Sequence, residues 1–263
     1  MLFERFPHLM IGPVMATLAW TIIIGALAWG LVFKTRLFSR FDEVRFDPFF
    51  CAILNIIFVF FMAFMGSEFF ESHKAAADSL VKERSAIDRL LSTELPTDEL
   101  NQELNLGVKN YLQNVIDVEW RQDLNRRASP AAEQAILDLN QLVAKARRGC
   151  DASDLSSCIE PLTAGRYIAS IDVLREARIF RLSLGVAERQ GMRYLLCIFL
   201  ALNAAISILL VYRKEKRAAV VPIVMYCLGI WVTFLIVVLH AEPYVGFRGI
   251  EPAMLEQVLQ RLS

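Results

Sequence analysis

Little in this chain points to catalysis. Only three histidines occur, His8, His73 and His240, and none has a histidine or cysteine at metal-ligand spacing. There is no glycine-rich loop that could cradle a phosphate, and no serine or cysteine nucleophile stands in a recognisable motif. The acid pairs Asp42-Glu43 and Asp98-Glu99 read as a solvated loop and a helix start. Neither an enzyme, a metal nor a cofactor is expected. An excess of one charge is missing too: 28 basic residues balance 28 acidic ones, which excludes nucleic acid as a partner held by bulk charge.

What is abundant is apolar sequence, 56% of the chain, and it is concentrated in four runs. The first, Met10–Phe33, carries no charge and is long enough to cross a bilayer. A signal peptide fits it poorly, because its apolar stretch is too long and KTRLFSR, not a small-residue cleavage site, follows. The second run, Phe49–Gly66, opens on Asp47-Pro48, an acid before a proline at the first helical position. The third, Tyr194–Tyr212, and the fourth, Ala218–Leu239, are separated only by Arg213-Lys214-Glu215-Lys216-Arg217, which demands an antiparallel hairpin. In hydrocarbon every backbone group must be paired internally, so these runs are helices, with the lipid bilayer as their surroundings.

Short loops set the orientation. Lys34, Arg36, Arg40 and Arg45 lie between the first two spans, and Arg213, Lys214, Lys216 and Arg217 between the last two. Both loops are expected in the cytoplasm of a bacterial inner-membrane protein, with the termini and the large insert periplasmic. Cys51, Cys197 and Cys227 fall inside spans, whereas Cys150 and Cys158 share a polar loop of the insert. An oxidising compartment permits a disulfide between that pair; two unpaired thiols are the alternative.

The insert repeats apolar residues at helical spacing. Phe69, Ala76, Leu80, Ile87, Leu90 and Leu91 carry the second span outward as one long helix ending before Pro96. Thr97 caps a next helix through Leu104, Val108, Tyr111, Leu112 and Val115. Ser129-Pro130 opens a third, and Pro161 a fourth over 162–189 that runs toward the third span. The fold class expected is all-α: four transmembrane helices, with an extramembrane antiparallel helical bundle inserted between the second and third. The divisions are 1–66 (spans one and two with their cytoplasmic loop), 67–192 (periplasmic bundle), 193–241 (spans three and four) and 242–263 (an outward-facing turn and short helix).

Two groups of polar or distinctive residues stand out at and inside the membrane. Glu68, Glu71 and His73 end the second span, and Arg189 and Arg193 precede the third on the same side. Opposite charges there suit interhelical ion pairs; a charged vestibule at a pore mouth is the functional alternative. Within spans Asn55 and Asn203 are the clearest polar residues. Phe58, Met62 and Met65 share a helical face with Asn55, and that face would form an apolar, dewetting constriction if the second span lined a pore. Bulk packing is the plainer role for each.

Three stretches resemble a bacterial family of bestrophin-like membrane proteins: AAADSLVKERSAIDRLL, with Ala76, Glu83 and Ala86; REARIFRL, with Arg178 and Arg181; and EPYVGFRGIEPAMLEQVL, with Pro243, Gly246 and Pro252. The resemblance implies an ion channel, a homo-oligomer related in layout to bestrophins. The reading that follows is a channel or channel-like protein whose second span lines the pore. The alternative is a non-conducting sensor or scaffold whose periplasmic bundle binds a partner or ligand.

Overall fold

The computed structural model describes residues 6–35, 38, 46–148, 159–186, 191–240, 242–244 and 249–262. The Cys150–Cys158 loop, Arg189 and Gly246 lie outside them. The described residues are helical throughout their regular elements: α1 (Phe6–Lys34), α2 (Pro48–Leu91), α3 (Asp98–Asn114), α4 (Pro130–Arg148), α5 (Pro161–Gly185), α6 (Gly191–Val211), α7 (Val220–His240) and α8 (Ala253–Arg261). A π-helical segment, Val115–Gln122, extends α3. Four stretches are long and apolar enough to span a membrane: Gly12–Lys34, Ala52–Leu91, Met192–Val211 and Val220–His240. α2 is one unbroken helix of 44 residues, about 66 Å at 1.5 Å per residue.

The chain divides into two compact units. The first comprises residues 1–71, 188–242 and 246–248 and holds α1, α6, α7 and the first part of α2. Here α1 packs on α6 and α7. Ala28, Ala201, Ala204 and Ala205 are fully buried, and such small residues let helix backbones approach where lipid provides no hydrophobic drive. Gly25 belongs to the same logic, since a Cβ there would stand 2.9 Å from the Cys227 sulfur. Thr17 and Thr21 turn their hydroxyls back to the Pro13 and Thr17 carbonyls, so neither brings an unpaired polar group into the membrane core.

The second unit comprises residues 72–187, 243–245 and 249–263. Its core joins Leu80, Ile87, Leu104, Leu112, Ile136, Leu139, Ile171 and Leu174 from the four bundle helices. The caps form where the sequence places them. The Thr97 hydroxyl accepts from the Leu100 N–H, and the Ser129 hydroxyl accepts from the Ala132 N–H. α3 and α4 lie close enough that a Cβ on Gly107 would come within 2.9 Å of Leu139. Two outcomes differ from the sequence reading. Helix α5 stops at Gly185 instead of reaching residue 189. The C-terminal helix is not a separate tail: Leu255 and Val258 of α8 are buried in this unit's core.

Candidate functional site

Two regions concentrate the residues that chemistry singles out. In the first unit, α2 is buried along one stripe only. Phe58, Met62, Met65 and Phe69 recur at helical spacing and sink into the core with Cys197, Ala201 and Phe234. The Phe58 ring meets the Tyr226 ring at 6.3 Å between centroids. Asn55, half-buried beside this stripe, donates from Nδ2 to the Ser207 hydroxyl at 3.5 Å. Asn203 is satisfied on its own helix, donating to the Phe199 carbonyl at 2.8 Å. The opposite face of α2 is open: Ile53, Ile57, Phe60 and Phe64, spaced at i, i+4, i+7 and i+11, are all exposed. The face singled out from sequence is therefore largely occupied within the subunit, and a different one is free.

At the end of this stretch Glu68 and Arg193 form an ion pair, each about half exposed. The Phe70 and His240 rings lie 5.7 Å apart. Glu71 is exposed and reaches no place in this pair, and His73 falls in the second unit, partly buried.

In the second unit an ionic network is buried except for one glutamate at its rim. Arg181 of α5 donates from Nε to Glu83 Oε2 of α2 at 2.8 Å and from Nη2 to Glu83 Oε1 at 3.2 Å. The same Nη2 reaches Glu119 Oε2 at 2.9 Å, and Nη1 donates to the Asn125 side-chain carbonyl. One turn earlier, Arg178 donates from Nε and Nη2 to Glu119 Oε1 at 3.0 and 2.7 Å. Its Nη2 also serves the Ser129 carbonyl at 3.0 Å, and its Nη1 pairs with Glu133 at the rim. Tyr111 donates its hydroxyl to Glu83 Oε1 at 2.6 Å. Glu83, Glu119 and Arg181 have no solvent exposure and Arg178 has 1%.

The electrostatics favour full ionisation of the arginines. Burial alone would pull both guanidinium pKa values down, but the Glu83 and Glu119 carboxylates outweigh it and both are raised. The Tyr111 phenol is held well above its ordinary value, first by burial and then by the Glu83 charge, so it stays a donor. Two arginines face two fully buried glutamates, and this charge balance is what makes such depth tolerable. Tyr244 and Ile250 reach the cluster from near the C-terminus. Tyr244 donates to the Arg181 carbonyl at 3.2 Å and meets the Trp120 ring edge-on at 5.6 Å. The Arg181 guanidinium lies over Trp120 at 5.0 Å, and the Trp120 indole N–H donates to the Ile250 carbonyl at 3.1 Å. Pro243 accepts from the Ile250 N–H at 2.9 Å, and Pro252, buried, starts α8.

The family model for the Bestrophin-like domain matches residues 16–255. The chain belongs to the bestrophin-like family. Among solved structures it is similar to a bacterial bestrophin homologue from Klebsiella pneumoniae, at 12% identity and a TM-score of 0.60, over 96% of each chain. Two single-residue variants of that homologue match with TM-scores of 0.64 and 0.61, each at 12% identity. The first match covers 96% of both chains, the second 96% of this chain and 97% of the other. At that identity the likeness is one of fold. No curated protein matches the sequence.

Within this bestrophin-like chain, Glu83, Arg178 and Arg181 come together around a fourth residue that the sequence reading missed, Glu119. In VIDVEWRQ the acid stands four residues after Val115 and seven after Leu112, on the apolar stripe itself. The π-helical winding of Val115–Gln122 shifts the register so that Trp120 turns inward beside Glu119. Asn125 was missed as well; it sits just after that segment at positive φ, 58°, where asparagine is tolerated.

Proposed function

We propose that this chain is the subunit of a homo-oligomeric ion channel of the inner membrane, with α2 lining the pore through its Ile53, Ile57, Phe60 and Phe64 face. The observation that carries this reading is the one-sided burial of α2. Lipid alone would accept that exposed face, but a ring of identical subunits would turn it into a continuous apolar constriction. Phe58, Met62 and Met65 are occupied against α6 and serve as the packing side of the pore helix. Asn55 ties that same side to α6 through Ser207. The buried Arg–Glu network is the rigid part of the subunit, not a catalytic centre, since Glu83, Glu119, Arg178 and Arg181 are closed to solvent and bonded to one another.

The orientation that fits the eight cations of the two short links places those links in the cytoplasm, with the bundle and the termini periplasmic. There a Cys150–Cys158 disulfide can form. Reporter fusions after residues 40, 128 and 215 check the orientation: a cytoplasmic signal at 128 would overturn it.

The function is tested by reconstituting the full chain in liposomes and following chloride, potassium and sodium flux. Phe60→Ala and Phe64→Ala widen the constriction and are expected to raise flux severalfold. Phe58→Ala is expected to lower the amount of folded protein without that gain. No flux of any ion from a preparation that is monomeric by native mass would sink the channel reading and leave the sensor or scaffold.

A further inference from the structure

Three sulfur atoms converge inside the membrane unit. Met62 and Met65 stand one turn apart on α2, and Cys197 of α6 faces both. Its Sγ lies 3.2 Å from the Met62 sulfur and 3.0 Å from the Met65 sulfur. The three side chains are 7%, 3% and 0% exposed, within an apolar cluster that includes Phe58, Phe69 and Ala201.

A thiol has one proton and can donate it to one thioether at a time, so the second close approach is not explained by an S–H contact. Three convergent sulfur donors are instead a ligand set. Thiolate and thioether sulfur is soft and selects Cu(I) over magnesium, calcium or manganese, which take oxygen. Structural zinc sites need four ligands, and three are assembled here. We propose that Cys197, Met62 and Met65 form a three-sulfur site for a soft monovalent cation, Cu(I), with Ag(I) as its redox-inert equivalent. On binding, the Cys197 thiol proton passes to water and a sulfur–metal bond replaces the S–H bond. Thiolate and monovalent cation sum to zero charge, so the membrane core receives a neutral group, avoiding the large penalty of an isolated ion. The unbranched methionines have the freedom to part around a metal. The site is independent of whether the protein conducts.

The test uses the full-length protein in detergent, titrated anaerobically with Cu(I) against a chromophoric chelator and separately with Ag(I). Metal is counted after desalting, and the metal's first shell is read by X-ray absorption. The expected result is one tightly held ion per chain with a shell of three sulfurs. Cys197→Ala should weaken binding at least 100-fold, and Met62→Leu and Met65→Leu at least 10-fold each. Cys227→Ala, in the same unit, should leave it unchanged. Unaltered affinity in either methionine variant, or a shell containing nitrogen or oxygen, would overturn the proposal. So would the absence of a tight ion in the unmodified chain. The absorption spectrum of that chain decides the matter even if Cys197→Ala fails to fold.

Discussion

Replacing Arg181 with methionine tests whether the buried network is a mutual arrangement of charges or a set of separable contacts. The substitution removes donors at 2.8 and 3.2 Å from Glu83 and at 2.9 Å from Glu119, together with the bond to Asn125. Glu119 keeps Arg178, but Glu83 is left fully buried with the Tyr111 hydroxyl still donating to it. Stranding one member of a buried ion pair costs about 3–5 kcal/mol. For a unit of this size that corresponds to a fall in melting temperature on the order of 10 °C. Removing both charges is a different perturbation, because an apolar pair of similar volume carries no desolvation penalty. The double variant Arg181→Met with Glu83→Leu should therefore recover at least half of the loss. Thermal unfolding of the detergent-solubilised chain, followed by circular dichroism for the wild type, both singles and the double, supplies the cycle. A single variant within about 1 kcal/mol of wild type would refute the reasoning. So would a double variant whose loss equals the sum of the two singles.

The other predictions concern the surroundings of that network. Gly185→Ala should destabilise strongly, by about 2–4 kcal/mol, because a Cβ there overlaps the Asn125 carbonyl, which is backbone and cannot swing away. The same melting assay checks it, and an unaffected variant would mean that α5 can end elsewhere. Tyr244 should make the fold sensitive to alkali. Burial pushes its phenol up to about 12, against about 10 when unfolded, so its contribution is fully present below pH 10 and is lost as pH rises from 10 to 12. That interval corresponds to roughly 3 kcal/mol, and Tyr244→Phe should flatten the melting-temperature profile across it. Arg121→Ala should do little, less than about 1 kcal/mol, although Arg121 pairs with Asp117 and Glu256, because all three side chains are solvated.

The second unit was legible in sequence because each of its helices has polar residues on one side and buried apolar ones on the other. Leu104, Val108, Tyr111 and Leu112 mark the buried stripe of α3 by period alone, and Thr97 and Ser129 mark the helix starts. What period cannot register is a change of winding. The π-helical Val115–Gln122 carries Trp120 to a buried position where a continued α-helix would leave it outside. The end of α5 and the seating of α8 escape a local reading for a related reason: each is tied to a distant contact, Gly185 against Asn125 and Tyr244 against Trp120 and Arg181, that no local pattern records.

The membrane half shows the opposite balance. Its four spans are plain because lipid requires about 20 apolar residues, yet for the same reason the sequence does not say which side of a span faces what. Phe58 and Phe60 are chemically identical and two residues apart, but one is 6% exposed and the other 63%. Lipid, a neighbouring helix and an apolar constriction all accept phenylalanine, so the amphipathic argument that works in the bundle has no polar side to work from. The distinguishing marks are the small and polarizable partners on other helices: Cys197 opposite Met62 and Met65, Ser207 opposite Asn55, Cys227 opposite Gly25. These pairings lie more than a hundred residues apart in the chain; the first two fix the azimuth of α2 within its unit, and the last seats α7 on α1. The row from Ile53 to Phe64 is what that azimuth leaves uncovered, and an oligomer built from this subunit would leave that row to lipid, bury it against a neighbour or set it around a pore.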